Sequence, residues 1–294
     1  MPADPILVTG ASGFLGRPLV RLLGERVWAT ARRPDEGPRA VAADLLDPAS
    51  VRSLVEAVRP ATVFHLAGCP RPARGGDSHE VHTRGTANLF AELARLDRPI
   101  RVHVASSSAV YGTRPEAGAP LDEESPLHPE NDYGRSKLEE ERIAGAGWGR
   151  LSVGIVRLFN LVGAGQPPGL VVRDLHAELV RRRAEGPWWV GCPERFAHVR
   201  DLVDVTDAAR GFVLLGRIAE GPDVVNLCSG RGTHLARVLE ALCRFEGIAA
   251  GEAELGTRVR TWQVGNPGRA AGLGWRPEVP LLESLASVVR GDAP

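Results

Sequence analysis

Along the first half of the chain, short apolar runs alternate with stretches whose apolar residues recur every three or four positions. The runs at Ile6–Thr9, Val27–Ala31, Thr62–Leu66, Arg101–Ala105 and Ser152–Arg157 predict strands. Helical spacing fills Phe14–Leu23, Ala49–Val58, Ser78–Leu96 and Tyr133–Ala144. Strand–helix alternation at this spacing predicts βαβ units, and therefore a parallel sheet covered on both faces. Beyond Phe159 the pattern changes. Residues 163–169 (GAGQPPG) form a loop by composition. Helical patterns then run over Val171–Arg183, Val203–Leu215, Leu235–Phe245 and Leu281–Val289, with a short strand at Val224–Leu227. There is no internal repeat and no low-complexity tract.

Composition removes several classes of partner. With 36 basic and 36 acidic residues in 294 the net charge is zero, which argues against a nucleic-acid or anionic-membrane partner. No apolar stretch approaches a membrane span. The four cysteines, Cys69, Cys192, Cys228 and Cys243, form no CxxC pair and have no histidine at ligand spacing. No metal is expected, and the cysteines are read as free thiols of a cytoplasmic protein. One asymmetry points the other way, toward chemistry. Only one of the 36 basic residues is lysine, Lys137, and it lies four positions after Tyr133, one of only two tyrosines. Arginine cannot replace lysine where a compact ammonium or a shiftable pKa is required.

Directly after the first predicted strand comes Thr9-Gly10-Ala11-Ser12-Gly13-Phe14-Leu15-Gly16, then a helix. Gly10 allows a tight turn, Gly13 close approach of backbone to a pyrophosphate, and Gly16 close helix–strand packing. The helix N-terminus, reached through Ser12, Phe14 and Leu15, supplies N–H groups and the positive end of a dipole. The predicted fold is thus α/β: a Rossmann doubly wound parallel sheet with a smaller, interleaved α/β substrate-binding lobe. Residues 1–160 and 199–228 are assigned to the dinucleotide domain, 161–198 and 229–294 to the lobe. The end of the second strand selects the cofactor. An acidic residue there binds the ribose 2′-hydroxyl of NAD, whereas this chain has Arg32 and Arg33, suited to a 2′-phosphate. NADP(H) is favoured, with NAD(H) possible.

Tyr133-Gly134-Arg135-Ser136-Lys137 opens a predicted helix, so Tyr133 and Lys137 share a face. Tyrosine is a poor base at its reference pKa near ~10, and a nearby ammonium favours the phenolate. Tyr133 can then exchange a proton with a substrate oxygen while hydride moves at the adjacent carbon. Ser107 follows a predicted strand at the C-terminal edge of the sheet, where ligands of open α/β sheets bind, and can hydrogen-bond a reacting carbonyl.

Taken together the chain resembles an extended short-chain dehydrogenase/reductase, the branch of nucleotide-sugar epimerases, dehydratases and ketoreductases. The segments that carry the resemblance are TGASGFLG, Asp44-Leu45, His65-Leu66-Ala67-Gly68, SSSAVYG, YGRSK and RLFN. Later matches are Arg200-Asp201-Leu202-Val203-Asp204-Val205, Asn226-Leu227-Cys228-Ser229-Gly230 and Leu273-Gly274-Trp275-Arg276-Pro277. GAGQPP, HVRDLVDV and VNLCSG are most similar to reductases of GDP-4-keto-6-deoxymannose. The resemblance implies an adenine contact at Asp44 and Leu45, and cofactor contacts at Leu66, Ala67, Gly68, Tyr133 and Lys137. Ser107 and Ser108 would face the substrate, and Asn160, Arg200 and either Arg258 or Arg260 would hold a sugar-nucleotide diphosphate. It further implies a homodimer through the helices at 78–96 and 133–147.

Departures from the family narrow the reaction. Its 4,6-dehydratases carry acids immediately after the catalytic Ser/Thr, where this chain has Ser108 and Ala109. Enzymes that epimerise C3 and C5 carry a cysteine at the Ala109 position. What remains is NADPH-dependent reduction of a nucleotide-linked 4-keto-6-deoxyhexose. An NAD-dependent 4-epimerase, or a reductase of a small natural-product ketone, are the alternatives. A non-catalytic nucleotide sensor is the rival from another class, and retention of both Tyr133 and Lys137 argues for an enzyme. His82 stands where the family usually has a structural asparagine, and is read as a tolerated substitution.

Overall fold

The computed structural model describes residues 4–33, 39–68, 78–115, 118–185, 193–218, 221, 223–248 and 259–291. Cys69, Cys192 and Arg258 lie outside the described residues.

The first compact unit comprises residues 1–111, 126–158 and 209–225. Its apolar runs form β1 (Ile6–Thr9), β2 (Val27–Ala31), β4 (Thr62–His65), β5 (Ile100–Ser107) and β6 (Leu151–Leu158), joined by a short β3 (Ala40–Ala42). With β9 (Val224–Leu227) they make a seven-stranded sheet in the order β3-β2-β1-β4-β5-β6-β9. Ile6 pairs in parallel with both Val27 and Thr62, and β5 with β6 from Ile100↔Leu151 to Ser107↔Leu158. This is the doubly wound order that brings the ends of β1 and β4 side by side. The helices are α1 (Gly16–Leu23), α2 (Pro48–Val58), α3 (Ser78–Glu80), α4 (Thr86–Ala94), α5 (Asp132–Ala144) and, from Ala209 on, the rest of α7 (Val205–Leu215). Strand residues Leu7, Val63, Val102 and Val104 pack with Val51, Leu54, Leu89, Phe90 and Leu93 of α2 and α4 in one buried cluster.

Helix boundaries follow local chemistry. Asp47 caps α2 by accepting from Ala49 N at 3.0 Å, ahead of Pro48 at the first helical position. Asn131 caps α5 by accepting from Gly134 N at 2.8 Å.

The second unit comprises residues 112–125, 159–208 and 226–294. It holds β7 (Asn160–Val162), β8 (His198–Asp204), β10 (Gly232–His234) and β11 (Thr261–Gln263), with α6 (Val171–Arg181), α8 (Leu235–Phe245), α9 (Gly268–Gly272) and α10 (Leu281–Arg290). β8 is the hub of its sheet. Its first half pairs antiparallel with β10 and in parallel with β11, and its second half pairs in parallel with β7. Leu175 and Leu179 of α6 meet Val238, Leu239 and Leu242 of α8 and Leu285 and Val288 of α10.

The structure differs from the sequence expectation in several places. Val203 and Asp204 close β8 rather than opening a helix, because a buried apolar strand end and the first turn of α7 share one apolar pattern. The helix expected over 78–96 is interrupted by a π turn, Val81–Gly85, which buries His82, Thr83 and Gly85. Residues 112–125, 159–160, 199–208 and 226–228, expected with the dinucleotide domain, fall in the second unit, 199–204 of them through the pairing of β8.

His103 of β5 lies 5 % exposed in the first unit, its ring stacked on Phe64 at 5.5 Å, and its Nε2 has no hydrogen-bond partner among the described residues. Burial, followed by the charge of Arg101, lowers its pKa to about 4. The unfolded chain protonates this histidine near 6.5 and the folded chain does not. Its contribution to stability is therefore present above pH 6.5 and lost as pH falls toward 4. His103→Phe, which retains the stacking, is expected to flatten the fall of Tm with acid by removing roughly 1.4 kcal/mol per pH unit of that loss. Thermal melts from pH 7 to pH 4 on both proteins check this, and parallel curves would refute it.

Candidate active site

The glycine loop lies between the end of β1 and α1. Gly10 has φ +68°, and a Cβ there would sit 2.8 Å from Ala67 N and from the Leu66 carbonyl. Gly13 N donates to Gly10 O at 2.9 Å, closing the turn. A Cβ on Gly16 would meet Gly10 O at 2.2 Å, so only glycine admits α1 this close to the strand end. Leu15 at the helix N-cap offers no side-chain hydrogen bond, Pro18 has no N–H, and Arg17 N and Leu19 N donate to Gly13 O and Leu15 O at 3.1 and 3.2 Å, so an anion at this end would meet the loop ahead of these residues. Leu66 and Ala67 are half-buried and Gly68 is exposed, and Leu66 N and Ala67 N reach back to Thr9 O and Thr9 Oγ1 at 3.2 and 3.4 Å. Arg32 and Arg33 follow β2, both exposed. Asp44 is exposed and turns onto Leu46 N at 3.0 Å, whereas Leu45 is buried in the core.

Ser107 is the last residue of β5 rather than a loop residue after it, and its Oγ accepts from Ala109 N at 3.1 Å. Ser108 is buried in the 3₁₀ turn that follows. That turn lies under α5 because of Gly134, where a Cβ would sit 2.6 Å from Ala109 O. The helix is thereby drawn against the end of β5, with half-buried Tyr133 in its first turn and Lys137 one turn on.

Below Tyr133, α5 buries a polar face. Lys137 Nζ donates to Ala105 O at 2.9 Å and to Glu140 Oε2 at 2.7 Å. A directional chain continues inward. Thr86 Oγ1 donates to Glu140 Oε1 (3.3 Å), leaving His65 Nε2–H to donate to Thr86 (3.0 Å) and His65 Nδ1 to accept from Thr9 Oγ1 (2.7 Å). The scheme needs a neutral His65, and burial together with the Lys137 charge lowers its pKa to about 3. Burial pushes the Glu140 carboxyl up to about 7, against the opposing pull of Lys137. A second network binds Glu141 to Arg157 at 2.8 and 3.0 Å, with Ser106 Oγ donating to Glu141 and Arg157 Nη1 donating to Tyr111 Oη.

His82 is fully buried. Ser136 Oγ donates to Tyr133 O, so His82 Nδ1–H donates to Ser136 Oγ at 2.9 Å, and Nε2 is an unpartnered acceptor. A Cβ on Gly68 would meet that Nε2 at 2.3 Å and Lys137 Nζ at 3.4 Å, while the His82 ring meets Tyr133 edge-on at 5.8 Å. The residue read as a tolerated substitution thus packs against both Tyr133 and the strip after β4.

In the second unit, three expected substrate residues lie in or next to the strands of one sheet. Asn160 of β7 donates to Asp201 O at 3.2 Å, Arg200 of β8 donates to Thr261 Oγ1 at 2.9 Å, and Arg260 precedes β11 and pairs with Glu194. Asp201 holds the segments after β9 and β11 by accepting from Ser229 N and Gly230 N of the first and Gly265 N of the second. Burial raises its pKa to about 6. Among the described residues no group of His, Cys, Asp and Glu could hold a metal, and no helix is long and apolar enough to cross a membrane.

The cradle without Cβ atoms, the uncapped helix start and the orphaned His82 Nε2 facing the strip after β4 all fit a nicotinamide dinucleotide. This is the architecture of an NAD(P)-dependent oxidoreductase of the short-chain dehydrogenase/reductase type. Residues 6–228 match the model of the NAD dependent epimerase/dehydratase family, and the chain belongs to that family. It is 31% identical over 296 residues to dTDP-6-deoxy-L-talose 4-dehydrogenase (NAD(P)(+)) of Kitasatospora kifunensis, covering 95% of this chain and 93% of that one. It is 29% identical to GDP-6-deoxy-D-mannose reductase of Pseudomonas aeruginosa, over 97% and 95% of the two chains. The structure of RMD from Pseudomonas aeruginosa complexed with NADPH superposes with a TM-score of 0.78 at 26% identity, over 98% of each chain.

The geometry at Gly10 yields a direct test. Gly10→Ala forces a side chain into left-handed backbone against three backbone atoms that cannot yield, at a cost of about 1–3 kcal/mol. The variant is expected to melt earlier than the parent and to lose most of the Tm gain on adding a nicotinamide dinucleotide. An unchanged gain would show that the loop does not hold the cofactor.

Proposed function

We propose that the protein reduces the 4-keto group of a nucleotide-linked 4-keto-6-deoxyhexose with NADPH. The observation that carries this reading is Tyr133, half-buried at the start of α5 with the buried Lys137 one turn below, beside the strand that ends at Ser107. When bound, the cofactor supplies the hydride. Ser107 Oγ hydrogen-bonds the carbonyl oxygen and orients it, and the Tyr133 hydroxyl gives that oxygen its proton. Lys137 lowers the cost of the phenolate left behind. No carboxylate follows Ser107, since Ser108 and Ala109 occupy those places, so no group there serves the elimination of water. On the same reading Asn160, Arg200 and Arg260 hold the diphosphate, and the named activities of both relatives, on 6-deoxyhexoses linked to dTDP and GDP, support this substrate class. Exposed Arg32 and Arg33 at the end of β2 favour the 2′-phosphate of NADPH through charge-assisted hydrogen bonds.

Two outcomes are expected from absorbance at 340 nm with GDP- and dTDP-linked 4-keto-6-deoxyhexoses. Tyr133→Phe reduces turnover by about 10²–10⁴-fold while NADPH still binds. Survival of near-parental turnover would overturn the mechanism. Arg32→Ala combined with Arg33→Ala raises the KM for NADPH about tenfold or more and leaves that for NADH nearly unchanged. Equal use of both cofactors by the parent would rule out the arginine reading.

A further inference from the structure

Lys137, the chain's single lysine, is only 4 % exposed. Burial disfavours the charged form of an amine, so an ammonium at this depth holds its proton only beside an anion. Of the two acceptors on Nζ, the Ala105 carbonyl is neutral and Glu140 is the carboxylate in contact. The groups facing the pair are Tyr133 and Glu141 from α5 itself, Thr86 from α4, His65 from β4 and His82 from the π turn. Glu141 is already paired with the Arg157 guanidinium. Burial keeps His65 and His82 neutral, and Thr86 carries no charge. Among the described residues Glu140 is therefore the carboxylate in direct contact with the ammonium and not paired with another cation. Burial pulls the Lys137 pKa down, yet Glu140, then Tyr133 and Glu141, hold it above its ordinary value.

We propose that Glu140 is the positioning residue that keeps Lys137 an ammonium above neutral pH, so that Tyr133 has a cation one helical turn away when its phenol gives up a proton. This rests on the acid–base reading of Tyr133 and Lys137. Burying a carboxylate beside a lysine seldom adds stability over apolar packing, so the pair is better explained by the charge it maintains. The chain of Thr86, His65 and Thr9 behind it holds the Glu140 carboxyl in place without supplying charge.

The composition makes the test direct. Protein grown with lysine labelled with carbon-13 at the ε position gives one ε resonance, which is Lys137. With two tyrosines in the chain, tyrosinate absorbance is assigned to Tyr133 by subtracting the Tyr133→Phe spectrum. In the parent, the Lys137 midpoint is expected at or above the ordinary value of about 10.4. Glu140→Gln is expected to lower it by about one unit or more and to raise the Tyr133 midpoint. Glu140→Asp should restore both in large part. Lys137→Met should raise the Tyr133 midpoint, and adding Glu140→Gln to it should raise it no further. An unmoved Lys137 midpoint in Glu140→Gln overturns the proposal, as does a Tyr133 shift that adds to that of Lys137→Met. Should Glu140→Gln not fold, the parent decides alone, since a Lys137 midpoint well below about 10.4 would show that Glu140 does not hold the charge. Neither titration needs a substrate or cofactor. Failure to reduce a ketosugar therefore leaves this result standing, and the converse also holds.

Discussion

The constraint on which the first unit depends is that α5 buries a polar face. Gly134, Ser136, Lys137, Glu140, Glu141 and Ala144 are its buried residues, and the charged ones could not enter without partners. Each has one. Glu141 takes Arg157 of β6 and Ser106 of β5, and Lys137 takes Glu140 and the Ala105 carbonyl. Because these partners are fixed at the ends of adjacent strands, pairing sets the rotation of the helix about its axis. It thereby sets where Tyr133 points from its first turn. Apolar packing is non-directional and would not have specified that angle so narrowly.

The same face ties the helix to the dinucleotide loop. From Glu140 the hydrogen bonds pass through Thr86 and His65 to Thr9, the residue that precedes Gly10. The loop's backbone crowding and the helix's charge pairing are thus two ends of one rigid assembly, since every link is buried and directional. The π turn feeds a further member into it by carrying His82 against Ser136.

Much of this site was legible in the chain because its parts are local. The glycine spacing 10–13–16 and the Tyr133–Lys137 spacing each lie within one turn or loop, and glycine or lysine at such positions has few substitutes. Glu140 was not legible. In Lys137-Leu138-Glu139-Glu140-Glu141 nothing sets Glu140 apart from its acidic neighbours, and Thr86, which donates to it, and His65 behind Thr86 lie far away in the sequence and are brought together only by strand order. The second sheet was missed for a related reason. β7, β10 and β11 have three residues each, too short for a period to emerge, and they exist because β8 offers both edges for pairing. The mistaken helix start at Val203 came from the same strand, whose apolar end matches a helical repeat as well as a strand's.

Reserving lysine for the interior has an effect on the molecule as a colloid. Its remaining basic residues are arginines, which stay protonated far into alkali. With equal numbers of acidic and basic residues and a pI near 7.1, the protein sheds few protons between neutrality and strong alkali. Most proteins grow steadily more anionic over that range as surface lysines discharge, and so repel one another more strongly. Here the net charge stays close to zero across several pH units, so raising the pH brings little electrostatic repulsion between molecules. Acidification, which protonates its carboxylates, charges the protein far more steeply.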